Sequence, residues 1–334
     1  MSCPIRAVLA QPLPSPRRAM ARLLRFVPDN ASLVEVTTRT IQSRLLLTPT
    51  PQLNRIIIGT LARASRRYEV GVVAFAFLSN HYHLLVRVKD AERLARFMTF
   101  FNSKLAREVV RLTGWKDKVW SRRYQATVVS NEEAAQAARL FYVLSNGVKE
   151  NLVARVGEWP GVHAAPALLA GTALDGVWVN RTAEYLAKQR GETRGPQDFE
   201  EPETLLLEPL PCWEHLSSEQ YRHQIERMIQ EIEDTAGTQR ERSGKPPLGA
   251  DAIRRQDPRT EPNRTKKSPA PRFHAFCKGA RQEFYRLYFE FVAAFREAAD
   301  RLKSGDRHAR FPIGSFPSHL PFVRAFPTAF LAPG

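Results

Sequence analysis

The chain has 334 residues, 43% of them hydrophobic and 25% charged, a balance that suits one large or two modest folded domains and excludes a wholly disordered or fibrous chain. Fifty lysines and arginines against 34 acidic residues leave a formal charge of +16 and a pI near 10.2. That excess points first to a polyanionic partner, although an anionic membrane surface or an acidic protein is equally open on charge alone.

Cys3, Cys212 and Cys277 are far apart and odd in number, so neither a disulfide framework nor a CxxC metal pattern is present, which fits a reducing cytoplasm. No run approaches the ~18 apolar residues of a membrane span, and no membrane partner is expected. In the lead MSCPIRAVLAQPLPSPRRAM (1–20), prolines break any signal-peptide core. It reads as disordered, with Met20 as an alternative start.

SLVEVTTRTIQ (32–42) alternates and is β-branched, which predicts a strand. A helix opens near Pro51, with Leu53, Ile56, Ile57, Leu61 and Ala64 on one face. VGVVAFAFLS (70–79) predicts a second strand, apolar on both faces and therefore central. After a turn at Ser79-Asn80, HYHLLVRV predicts a third. A long amphipathic helix follows over 90–114, its core face carried by Leu94, Phe97, Met98, Phe101, Leu105 and Val109. VWSRRYQATVVS (119–130) predicts a fourth strand.

SNEE then offers a capping box, Ser130 as cap and Glu133 reaching back, to a helix that stops at Gly147. Its apolar stripe is Ala134, Ala137, Ala138, Phe141 and Leu144. The order β-α-β-β-α-β-α implies an α+β fold, helices on a mostly antiparallel sheet. EWPGVHAAPALLAG closes this domain, 21–170. Residues 171–272 are rich in proline and charge and are expected to be of low order, with one helix near 217–235. Residues 273–334 form a basic C-terminal segment with a helix at 275–303.

His81 and His83 are two apart in a strand, so they project from one face while Tyr82 points to the other. That geometry suits two nitrogen ligands on one divalent ion. Alone the pair is a weak signal, since two partly exposed histidines on a sheet face look the same. A catalytic metal usually takes three protein ligands. No HExxH, CxxC or third alternating histidine supplies one, so the third comes from elsewhere.

ARLFYVLSNGVKENLV offers it. Tyr142 and Asn146 are four apart and Arg139 is three before Tyr142, so all share one helical stripe. The bland alternative is a tyrosine at the core margin with Asn146 as a helix stop. A phenol with a pKa near 10 is ionised in only about one molecule in a thousand at pH 7. A metal polarising the phosphate, and a nearby cation such as Arg139, would offset that handicap.

FLSNHYHLLV, VWSRRYQ, FYVLSNGVKENLV and EWPGVH, in this order and spacing, resemble the single-tyrosine HUH transposases, in particular the REP-associated tyrosine transposases of bacteria. The resemblance spans residues 20–170. It implies a ferredoxin-like antiparallel sheet with packed helices, His81, His83 and Asn146 as ligands of Mg²⁺ or Mn²⁺, and Tyr142 as nucleophile. It also implies nicking and rejoining of single-stranded or hairpin DNA through a 5′-phosphotyrosine. Gly147 departs from the proline common after the asparagine; both end helices. The mostly helical or disordered basic extension inherits nothing from the family.

For DNA contacts the candidates are Arg39, Arg44, Arg122, Arg123, Tyr124, Arg139 and Lys149. Arg122-Arg123-Tyr124 joins cation and aromatic as a groove with a stacked base would. Basic NRTKKSPAPR is either a non-specific arm or a charged linker. Two rivals stand: a domesticated protein that binds repeats without cutting, and a metal phosphoesterase using water. A cytoplasmic, nucleoid-associated setting is expected; monomer and homodimer, with the tyrosine acting in cis or in trans, both stay open.

Overall fold

The computed structural model describes residues 26–28, 32–263, 271–313 and 315. The expected lead with its alternative start at Met20, and most of NRTKKSPAPR, lie outside the described residues. In chain order the first unit is β1 (Ser32–Arg39), α1 (Pro51–Tyr68), β2 (Gly71–Leu78), β3 (His81–Val88), α2 (Ala91–Thr113), β4 (Gln125–Val129), α3 (Glu133–Leu144) and α4 (Ala165–Ala170). There follow β5 (Leu174–Val179), α5 (Arg181–Gln189), β6 (Glu200–Leu205), α6 (Ser218–Ser243), α7 (Ala250–Arg254), β7 (Phe273–His274) and α8 (Lys278–Lys303).

The helix signals act locally as read. Thr50 accepts from the Leu53 N–H at 3.1 Å and Pro51 opens α1, whose expected face is buried. Asp90 caps α2 through the Arg93 N–H at 2.7 Å, and Gly114 ends it at φ 64°, a left-handed conformation that glycine adopts without strain. The main sheet runs β2-β3-β1-β4-β7, antiparallel except for the short β4–β7 pair. With α1 after β1 and α2 after β3, this is the ferredoxin-like α+β order. α1 and α2 pack together over the face that carries Tyr82, whose ring meets Phe101 at 5.7 Å. α3 lies on the opposite face.

Several expectations change. β1 ends at Arg39, because Ile41–Ser43 turns away with Gln42 at φ 52°. The fourth strand starts only at Gln125. Residues 119–124 follow β1 through isolated bonds while Trp120 tucks its indole against Tyr82. Ser130 does not cap α3: its hydroxyl donates to Glu132, and Glu133 accepts from the Trp213 indole at 2.8 Å. These carboxylates hold later parts of the chain instead of closing a box. The buried stripe of α3 is Ala135, Gln136, Leu140, Val143 and Leu144, so the expected stripe is rotated.

The second strand, expected at the centre, is marginal in the sheet order, yet all eight residues are buried. Its free edge is covered. The Phe77 N–H donates to the Val162 carbonyl, the Ala164 N–H to Phe75, the Trp159 indole to Phe77, and the Glu208 N–H to Val72. EWPGVH is therefore an edge cover, which answers the exposed-edge problem of any open sheet.

The segment 171–263, expected to be of low order, carries the β5–β6 hairpin and three helices besides. Its glutamates are not solvating. Glu203 is buried and accepts from Arg63 and Arg66 of α1, and Glu201 accepts from Arg63. Backbones touch at Gly59 and Gly176: a Cβ on Gly59 would stand 2.2 Å from the Val177 carbonyl. α6 buries Ile225, Met228, Ile232 and Ala236. Among the described residues no helix is long and apolar enough to cross a membrane.

Two measurements check these contacts. Replacing a mid-helix glycine by alanine ordinarily stabilises by about 0.5–1 kcal/mol. Gly59→Ala is expected instead to destabilise by about 1–3 kcal/mol in urea unfolding, because the methyl meets unyielding backbone. His163, buried in the edge cover, accepts from the Ala165 N–H at 3.1 Å, and burial pushes its pKa from 6.5 down to about 4. Below 6.5 the unfolded chain binds a proton that the folded chain refuses. This contribution is thus intact above 6.5 and lost towards pH 4, by up to about 3 kcal/mol. His163→Asn, which retains an acceptor for Ala165, is expected to be less stable than the parent at pH 7.5 and to narrow that gap by pH 5. A gap that stays constant between the two pH values contradicts a buried neutral imidazole.

Candidate active site: a histidine pair, an amide and a phenol

β-strand register builds the floor. His81 faces Arg39 and His83 faces Thr37 across the β1–β3 ladder, so these four side chains and Glu35, two residues from Thr37, share one face. The two imidazoles stand side by side with ring centroids 5.2 Å apart. Each is anchored through Nδ1: His81 to the Asn80 side-chain oxygen at 2.6 Å, His83 to Glu35 at 2.8 Å and Thr37 at 3.1 Å. A carboxylate on Nδ1 places the ring proton there and leaves Nε2 as the lone-pair nitrogen. Burial, then the neighbouring His83, Arg39 and Lys149, holds the His81 pKa well below 6.5, so this ring is neutral at pH 7.

α3 supplies the roof. Tyr142 meets His83 edge to face with centroids 5.3 Å apart, within one chain, and its side chain is on a residue 39% exposed. The phenol is thus fixed on one side and open to solvent on the other. Asn146 lies just past the helix, whose C-cap is Ser145, and not within it as expected. Its amide donates to the Tyr142 carbonyl at 2.8 Å and the Val143 carbonyl at 3.0 Å. These two bonds orient the amide and leave Oδ1 buried with no hydrogen-bond partner among the described residues. A buried polar oxygen without a partner is costly, and here it belongs to the third residue that sequence reasoning assigned to a metal. Gly147 takes φ 93° directly after it.

The cations arrange themselves differently from the expectation. Arg139 is nearly buried: it donates to Glu35 at 2.9 Å, contacts His274 Nδ1 at 2.9 Å, and stands 5.5 Å from the Tyr142 ring centroid. It braces the site and does not present itself to DNA. Lys149 places its ammonium 3.4 Å from the Tyr142 ring centroid. Arg39 stands near enough to Tyr142 and Arg122 for their charges to act on it. Arg122 and Arg123 are exposed, whereas Tyr124 is buried and offers no ring face to a base. Arg44 is engaged by Gln42, the Arg259 carbonyl, Glu261 and the Trp115 ring.

The nearby cations pull the phenol in the expected direction but do not outweigh burial. Burial, followed by Glu35 and Glu150, raises the Tyr142 pKa above 10 against the opposing pull of Arg139 and Arg39. Arg139 is largely spent on Glu35. Two residues of this site escape sequence reasoning. Glu35 carried one signal, a carboxylate between Val34 and Val36 in an apolar strand; His274, brought in by β7, carried none.

Among the described residues no cluster of three or more His, Cys, Asp or Glu suits a metal, so any site here depends on the asparagine. Residues 41–142 match the family described as transposase IS200 like. A REP-associated tyrosine transposase bound to a REP hairpin is similar in structure, 17% identical, with 45% of this chain and 86% of that chain covered and a TM-score of 0.36. A protein of Deinococcus radiodurans R1 described as a candidate transposase is 14% identical over 35% of this chain and 95% of its own, with a TM-score of 0.27. No curated protein matches the chain. The family match runs from the turn after β1 to Tyr142, so it takes in the histidine pair and stops short of Asn146.

Proposed function

We propose that the protein nicks and rejoins single-stranded DNA, at repeats or beside hairpins, through a covalent 5′-phosphotyrosine at Tyr142. The observation that carries this reading is the packing of the Tyr142 ring against His83. It sets a partly exposed hydroxyl-bearing side chain beside the histidine pair of the same chain.

Two imidazoles anchored through Nδ1 and the Oδ1 of Asn146, which has no partner among the described residues, would hold a divalent ion; the mixed nitrogen–oxygen set suits Mn²⁺ better than Mg²⁺, which prefers oxygen donors throughout. When bound, such an ion would withdraw charge from the scissile phosphate. Glu35 fixes the tautomer of His83, Asn80 orients His81, and the Tyr142 and Val143 carbonyls aim the Asn146 oxygen. The Tyr142 oxygen attacks phosphorus in line, its P–O bond forming as the bond to the 3′-oxygen breaks. The phenolic proton goes to solvent and the departing oxygen takes one up as a 3′-hydroxyl. Attack by another 3′-hydroxyl reverses the step, so no nucleotide cofactor is consumed. Lys149 and Arg39 supply positive charge beside the phenol.

The exposed side of Tyr142 leaves the site open to solvent, as a second reading requires, in which water attacks and the histidine pair serves a phosphoesterase. Tyr142→Phe separates the two. Incubated with a hairpin-flanked single strand and Mn²⁺, the parent is expected to form a denaturant-resistant protein–DNA adduct, and Tyr142→Phe none. Cutting that persists in Tyr142→Phe establishes water as the nucleophile. Absence of both cutting and adduct in the parent, with binding retained, establishes a domesticated DNA-binding protein. Mn²⁺ titration followed by electron paramagnetic resonance is expected to show binding in parent and Tyr142→Phe, and its loss in His81→Ala/His83→Ala and in Asn146→Ala.

His274→Ala tests the brace. It removes the second contact of Arg139 and is expected to slow adduct formation about 10- to 100-fold, in the range seen when outer-shell partners are lost, with little change in DNA affinity. An unchanged rate removes His274 from the positioning network.

A further inference from the structure

A cavity of about 300 Å³ opens on the other side of the sheet from the histidine pair, between the outward face of α2 and the β5–α5 connection. Its lining includes Lys104, Arg107, Arg111 and Arg181 with Trp178 and Tyr185. Charge accounting separates the structural cations from the free ones. Arg181 and Arg111 are committed to Glu108, and Arg181 also to Glu184. Arg63 and Arg66 are committed to Glu201 and Glu203. Lys104, Arg107 and the adjacent Arg67 have no carboxylate within ion-pair distance among the described residues.

These cations alternate with rings. Phe100 and Trp178 stack at 5.4 Å, Lys104 lies 5.3 Å from the Trp178 centroid and 5.7 Å from that of Phe100, and Arg67 covers Phe100 from 5.4 Å. Tyr185, at the mouth, is 61% exposed with a ring free to receive another. Burial and then the crowd of Arg107, Arg67 and Arg63 lower the Lys104 pKa, the mark of a positive field that an anion would relieve.

We propose that this surface is a second binding site for single-stranded DNA, separate from the histidine–tyrosine site: Lys104, Arg107 and Arg67 contact phosphates, and Tyr185 stacks on an unpaired base. Cations interleaved with an exposed aromatic ring match a flexible strand, whose bases are free to stack, better than a duplex, whose bases are not. Two of its walls, Trp178 and Tyr185, come from the part of the chain beyond the family match. It does not depend on the chemistry proposed for Tyr142.

Fluorescence anisotropy with a fluorescein-labelled 20-residue oligothymidylate at 150 mM salt tests it. Lys104→Glu/Arg107→Glu is expected to weaken binding at least about tenfold and to flatten the log–log salt slope by about 1.4, two contacts at about 0.7 each for single strands. Tyr185→Ala is expected to weaken it about fivefold or more, the loss of one stacked base. Lys116→Glu/Lys118→Glu, which makes the same charge change on exposed lysines elsewhere, is expected to stay within about twofold. Thermal melts show whether the variants fold; Arg67→Glu/Arg107→Glu, on two exposed side chains, replaces the first variant if it does not. Equal losses in the two charge-reversal pairs overturn the proposal. So does equal competition by polyglutamate at matched charge, or equal affinity for duplex of the same length.

Discussion

The buried Glu35 carboxylate is the interaction on which the site depends. One oxygen accepts from His83 and the other from Arg139, so a strand of the sheet and the helix that carries Tyr142 are tied through a single group. Burial alone would raise its pKa, but the hydrogen bond and charge of His83, with Arg139 and Lys149, hold it below 4.5. A carboxylate depressed in this way stabilises the fold above its unfolded pKa, and that contribution is lost as pH falls through the folded value. Removing Arg139 would leave a buried anion with one partner fewer, a change that costs several kcal/mol in buried pairs. The tie thus couples the orientation of His83 to the seating of α3.

The same group shows where sequence legibility ends. Elements whose signal is local are readable: α1 and α2 from their apolar periodicity, β1 from alternation, β3 from its apolar run, the turn at Ser79-Asn80 from its residue types. The histidine pair is readable because the strand period brings it to one face; the Tyr142–Asn146 spacing is read as helical, whereas the helix ends at Leu144 and Asn146 is held by its own bonds to the Tyr142 and Val143 carbonyls. Glu35 is not, since its meaning comes from Arg139, 104 positions later, and from a strand register that no local pattern specifies. His274 lies a further 135 positions beyond Arg139. The stripe of α3 misleads for a related reason. Alanines fit either face of a helix, and it is Gln136 that goes inward, its side chain accepting from the Cys212 N–H at 3.0 Å.

The β5–β6 hairpin is illegible in a more instructive way. Its glutamates and proline lower the apparent hydrophobicity of the segment to that of a linker. They are polar because the face they cover is polar: Arg63 and Arg66 on α1 need partners, and Glu203 enters the interior to meet them. The glycine contact between Gly59 and Gly176 completes the fit. A composition rule for disorder assumes that charges face water; complementary charge between two elements defeats it.

Net charge has the same ambiguity. An excess of +16 directs attention to DNA, but arginine by arginine the structure spends much of it internally. Arg63, Arg66, Arg139 and Arg181 each hold a glutamate, and Arg44 is engaged by Gln42, Glu261 and the Trp115 ring. What matters for a polyanion is the remainder after such pairs are subtracted, and where that remainder lies. Among the described residues two clusters of it adjoin candidate sites: one around Tyr142, where Lys149, Arg39 and the exposed Arg122 gather near a hydroxyl on one face of the sheet, and one along Arg67, Lys104 and Arg107 behind the other. Under the reaction proposed for Tyr142, a strand held only at the first could leave whenever the phosphotyrosine is not formed. One held at both would keep its second segment in place through the interval between cleavage and rejoining, when the 3′-hydroxyl has no covalent tie to the protein.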